Sequence, residues 1–215
     1  MKKTIYAVVA LIILALALWG VFVYFNPEEE KTTPNESANL GEGVVAEMID
    51  SQVSTSTLAK LNMGTLDRQI VAPDNAADQM FEKNEAIIKD LVSGLRTKPE
   101  VFSDWNDLGT YRKIIGDYVG AKEAWENAAI LRPKSALPLG NLGNLYGYYV
   151  KDSAKAEEYY LAAIKIEPTP GFWYYQTYFF YKEAMNDSIK AKNIVTEGVK
   201  ANPLDADLKA LLKSL

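Results

Sequence analysis

The chain has 215 residues, 48% of them hydrophobic and 24% charged, which is an ordinary globular composition with room for one domain and attachments. Its net charge is −5 and no Lys/Arg cluster stands out, which argues against a nucleic-acid partner, since that needs a basic footprint. Having neither Cys nor His, it is without disulfides, thiol nucleophiles, His-dependent triads and zinc sites with Cys or His ligands. The carboxylates, Lys, Tyr and Ser that remain form no recognisable catalytic, cofactor-binding or metal constellation.

Residues 4–25 carry no charge, and as a helix rising about 1.5 Å per residue they reach roughly 33 Å, enough for a hydrocarbon core. Lys2 and Lys3 precede this run, so the positive-inside rule puts the amino terminus in the cytoplasm. Trp19, Tyr24 and Phe25 suit the far interface. Residues 1–25 are therefore expected to be a signal anchor in a single-pass cell membrane protein. The remainder would lie outside the cytoplasm. The rival is a signal peptide cleaved near Ala15-Leu16-Ala17 and a secreted product, but eight apolar residues follow that site.

Residues 26–73 read as a linker. The polar, proline-bearing stretch 26–39 suits a stalk, and 41–71 keeps no clear period. Asp74 is a plausible N-cap for a helix reaching about Leu95, with Ala77, Met80, Phe81, Ile87, Ile88, Leu91, Val92 and Leu95 at three- and four-residue steps.

Beyond it the chain repeats. Pro99, Pro133, Pro168 and Pro203 are separated by 34, 35 and 35 residues. Five residues before each stands a small side chain, Gly94, Ala128, Ala163 or Gly198; eight before stands Leu91, Trp125, Tyr160 or Val195. Three residue classes in one register call for a repeat architecture.

The period and residue types resemble the tetratricopeptide repeat, a helix–turn–helix unit. The first repeat supplies Trp105, Leu108 and Gly109, then Ala121, Trp125 and Pro133, with Arg112 where the family usually has Tyr. The second supplies Leu139, Leu142, Gly143 and Tyr146, then Ala156, Tyr160 and Pro168, with one extra residue assigned to its turn. The third keeps Ala191 and Pro203, but Phe179 falls in the small-residue slot. Either that hairpin is splayed, or its register slips by one so that Tyr174 and Tyr178 take the key places. The resemblance implies an all-α hairpin superhelix: a degenerate half-repeat over 74–101, repeats over 102–135, 136–170 and 171–203, and a capping helix over 204–215. Leu208, Leu211, Leu212 and Leu215 would line one side of that cap.

The resemblance further implies a concave groove lined by the first helices, which takes a protein or peptide. Carried over, the groove positions are Ser103, Asn106, Thr110 and Lys113; then Leu137, Gly140, Asn144 and Gly147, with Asn141 and Tyr148 alongside; then Trp173, Gln176, Phe180 and Glu183. Only Asn141 matches the family's carboxylate clamp. Eight aromatics between Phe172 and Tyr181 surround their helix, so they serve either as core bulk or, through Trp173 and Phe180, as anchors for a partner. Gly140 and Gly147 lie on one face, and either open a notch or admit a neighbouring helix. The expected function is a membrane-tethered scaffold or assembly factor without cofactor or catalysis. A permanent subunit of a membrane complex is the alternative. A carboxylate enzyme is a third reading, for which spacing locates no paired acids.

Overall fold

The computed structural model describes residues 53–72 and 79–215. The expected anchor, the stalk and the proposed cap Asp74 lie outside the described residues. Among the described residues no helix is long and apolar enough to cross a membrane.

Nine α-helices, counted among the described residues, pack as sequential antiparallel pairs. The short α1 (Thr55–Leu58) and a 3-10 turn (Met63–Asp67) precede α2 (Gln79–Thr97). The first hairpin is α3 (Phe102–Ile114) with α4 (Tyr118–Leu131). The second pairs α5 (Leu137–Asn144), continued by a π-helical stretch Leu145–Val150, with α6 (Ser153–Ile166). The third pairs α7 (Phe172–Phe179), continued by a second π-helical stretch Phe180–Ala184, with α8 (Ser188–Ala201). Last comes α9 (Ala206–Ser214).

The turns inside the hairpins repeat every 35 residues. Gly116, Lys151 and Asn186 have left-handed backbones, with φ of 85°, 64° and 53°. Each is followed by an Asp that caps the next helix: Asp117 accepts from the Gly120 N–H (2.9 Å), Asp152 from Lys155 (3.1 Å), Asp187 from Lys190 (2.9 Å). Reversing the chain and satisfying an orphan donor are thus done by two adjacent residues. The second helices end equally regularly. The residue before each proline donates its N–H to the small residue four back: Arg132 to Ala128, Glu167 to Ala163, Asn202 to Gly198. Proline then removes the next donor and the helix stops.

The extra residue of the second repeat was expected in its turn. It lies instead in the helix, because seven residues separate Gly109 from Gly116 but eight separate Gly143 from Lys151. The turn geometry is unchanged, so the surplus widens α5 into its π-helical end. The third hairpin does the same. It is in register with the second at an offset of 35: buried Pro138, Leu142, Gly143, Leu145 and Tyr146 correspond to buried Trp173, Thr177, Tyr178, Phe180 and Tyr181. The register slip is therefore the correct alternative, and Tyr178, not Phe179, takes the small-residue place. In the first two hairpins a glycine faces a large ring, Gly109 under Trp125 and Gly143 within van der Waals reach of Tyr160. The third exchanges the volumes, with Tyr178 on the first helix and Val195 at the place of Tyr160 on the second.

Residues 53–72, left without structure by their lack of period, form a strap across the first hairpin. Leu61 and Leu66 are buried with Ile88, Leu95, Trp105 and Leu131. Asn127 holds the Asn62 backbone at both ends, accepting its N–H (2.8 Å) and donating to its carbonyl (3.1 Å). Arg96 and Arg112 donate to the carbonyls of Leu66 and Thr65, both at 3.1 Å. Arg112 also pairs with Asp117 at 2.6 Å, and Arg68 of the strap reaches the same carboxylate at 2.8 Å. The departure from the family's Tyr at Arg112 thus has a structural reason: the guanidinium ties strap and hairpin turn together. In α2 the buried stripe is Asn84, Ile88 and Leu95, while Met80 is largely exposed. In α9 only Leu208 is buried; Leu211 and Leu212 are partly covered, and Leu215 is exposed.

Candidate protein-binding face

The sequence places its candidate residues on the first helices α3, α5 and α7. Asn106 is buried. Its Nδ2 donates to the Phe102 carbonyl at 3.2 Å, and its own carbonyl accepts from Thr110 Oγ1 (3.0 Å) and Trp125 Nε1 (3.1 Å). The Trp125 bond ties α4 to α3 and the other two stay within α3, so Asn106 is a packing residue and the half-buried Thr110 spends its hydroxyl on its own helix. Asn141, Asn144, Tyr148 and Gln176 are half-buried.

Trp173 and Phe180, expected as partner anchors, are buried. A Cβ at Gly140 would overlap the Trp173 ring, and one at Gly147 would come within 2.9 Å of Phe180. The two glycines therefore make no open notch; each is a socket on α5 filled by a ring from α7. The indole Nε1 donates to Glu167 Oε2 at 3.4 Å, while Glu167 Oε1 accepts the Ala136 N–H at 2.9 Å, bracing the ring against the start of α5. Phe180 also tilts against Tyr160, with centroids 5.3 Å apart. Their bulk is spent on the seam between hairpins, out of reach of a molecule docking on this face.

Applying the offset of 35 to Leu137, Gly140 and Asn144 moves the third hairpin's positions to Phe172, Tyr175 and Phe179. Phe172 is 49% exposed, and Tyr175 and Phe179 are partly buried. The one-residue error in register had assigned to the face the rings that point into the seam.

What the fold brings together is Lys113 of α3 with Asn144 of α5, Nζ to Oδ1 at 3.3 Å. The same ammonium lies 5.3 Å from the centre of the Tyr149 ring and 5.9 Å from that of Trp125. Burial lowers the Lys113 pKa from the ordinary lysine value. Further along, burial and then the Glu183 charge push the Tyr148 phenol up to about 12. Tyr149 and Tyr118, both partly exposed, meet with ring centres 5.2 Å apart. Neither was assigned to the face from the sequence: Tyr118 opens α4, and Tyr149 lies in the π-helical stretch that ends the first helix of the second hairpin. Among the described residues no group of three metal-binding side chains converges.

No family model matches the chain, and no curated protein matches it either.

Proposed function

We propose that the hairpin stack is a tetratricopeptide-type interaction module that holds a protein or peptide on the face of α3, α5 and α7. Residues 4–25 would tether it to the cell membrane with the stack outside the cytoplasm, where it serves as a scaffold or assembly factor without catalysis. The observation that carries this reading is the repetition itself. A left-handed residue plus a capping Asp recurs at 116/117, 151/152 and 186/187, and successive hairpins lock ring into socket. Stacked hairpins of this kind present an extended row of first helices as a binding surface.

The test is crosslinking in the native membrane from photoreactive residues placed at Thr110, Tyr148 and Phe179. One partner captured from all three positions, and lost when Tyr148 and Phe179 are both changed to Ala, is the expected result. A partner captured from none of the three positions would refute the reading. A complex that resists high salt and is lost when only the 4–25 run is rewritten would favour a permanent subunit instead.

A further inference from the structure

We propose that the groove between α2 and α3 receives an amphipathic helix of a partner protein, at a place separate from the face of α3, α5 and α7. The second helices α4, α6 and α8 each pack against the helix before and the helix after them. α2 does not. Among the described residues it meets α3 after it, but before it only the 3-10 turn of the strap. Where a preceding helix would lie there is an open groove of about 480 Å³, walled by Met80, Ile87, Tyr111 and Ile114. Met80 is 68% and Ile114 52% exposed there, whereas the outer face of a terminal repeat is ordinarily polar.

Two features of the groove define its occupant. Asn84, on the wall, is 8% exposed, and among the described residues its amide makes no hydrogen bond. The incoming helix therefore carries one Ser, Thr, Asn or Gln within its apolar stripe, and a buried polar pair of that kind fixes the register. Further along, Asp104 borders the same groove, since a Cβ on Gly94 of α2 would stand 3.7 Å from its carboxylate. Asp107 follows one turn later, and among the described residues neither carboxylate pairs with a cation. Burial and then the Asp104 charge raise the Asp107 carboxyl above the ordinary aspartate value. A Lys or Arg of the occupant, about 10–15 Å along the groove from Asn84, answers both carboxylates. Apolar anchors at three- and four-residue steps, one polar residue among them and one cation beyond are together a helix-in-groove signature.

The test places a photoreactive residue at Met80 or at Ile114 of the full chain in its native membrane and sequences the crosslinked segment. Both positions should join one segment of one partner protein, with the apolar spacing, the polar residue and the Lys or Arg described. Asp107→Lys should cut the yield about tenfold or more, and Glu in place of the partner's basic residue should restore it. Ile114→Glu, at an exposed position that the fold tolerates, should cut the yield from Met80 similarly. Crosslinks to a second copy, to another segment of the same chain or to lipid alone would overturn the proposal. So would a segment lacking the basic residue, or yields that Asp107→Lys leaves unchanged. Capture from Thr110, Tyr148 and Phe179 but from neither Met80 nor Ile114 would overturn the groove and leave the other face standing. Capture from none of the five would overturn both.

Discussion

Replacing Gly140 by Ala should destabilise the native protein yet stabilise the Trp173→Ala variant, and this reversal of sign tests the packing between hairpins. Trp173 is 6% exposed and seated on Gly140. Truncating it removes a buried ring and leaves a cavity, costing roughly 3–5 kcal/mol. At about 2–4 °C per kcal/mol for a unit of this size, the melting temperature should fall on the order of 10 °C. Gly140→Ala has two opposed effects. Helix propensity contributes about 1 kcal/mol in its favour, while forcing a methyl into the ring costs about 1–3 kcal/mol. With the ring present the second effect wins, because the added methyl would overlap the Trp173 ring; without it only the first remains. The coupling between the two changes should therefore be about 1–3 kcal/mol. Guanidinium denaturation of the four proteins, followed by far-UV circular dichroism at constant m, measures it. If Gly140→Ala has the same effect in both backgrounds, the ring does not sit in that socket and the register drawn for the third hairpin is wrong.

Lys151→Gly should stabilise the protein by about 1 kcal/mol, because a left-handed backbone strains a residue with a Cβ. Gly116→Ala should destabilise it by a similar amount, both read by denaturation midpoint. Asn127→Ala removes both bonds to the Asn62 backbone and should cost about 1–3 kcal/mol. Limited proteolysis should then cut first within residues 53–72. At alkaline pH, burial raises the phenols of Tyr148, Tyr159, Tyr160, Tyr174, Tyr175, Tyr178 and Tyr181 above the ordinary tyrosine value. The folded state then holds more protons than the unfolded state above pH about 10, so stability falls as pH rises from there toward 12 and beyond. Absorbance at the phenolate band should rise together with loss of helicity; these phenols ionising near pH 10 in a folded protein would contradict their burial.

The parts of the fold legible in the sequence are those specified locally. Prolines mark helix ends, because each removes a donor from the helix's own backbone. The strap was illegible for the opposite reason. Its order comes from Asn127, Arg96 and Arg112, which lie 30 to 65 positions away and bond its backbone. No apolar period is needed in a segment held that way, and 53–72 has none. The resemblance also set Arg112 down as a departure. The strap's Thr65 carbonyl, 47 positions distant, and the Asp117 carboxylate of the turn together give that arginine its use.

The candidate face was misread by one residue for a physical reason that counting could not supply. Each helical residue turns the chain by about 100°, so an extra residue inside a helix swings every later side chain by that angle. An extra residue in the turn would have left α5 and α7 unaltered. Because the surplus is taken up within Leu145–Val150 and Phe180–Ala184, positions before and after these stretches no longer follow one helical count. Phe180, the first residue of the second stretch, points into the seam, while Phe179 stays partly open. The same widening sets Tyr149 over Lys113 at the end of the first hairpin. A π-helical insertion therefore decides both which rings are spent on packing and where the enclosed lysine finds its wall. The spacings that reveal it are the seven and eight residues from small crossing residue to left-handed turn, visible once Gly116, Lys151 and Asn186 are known to be equivalent.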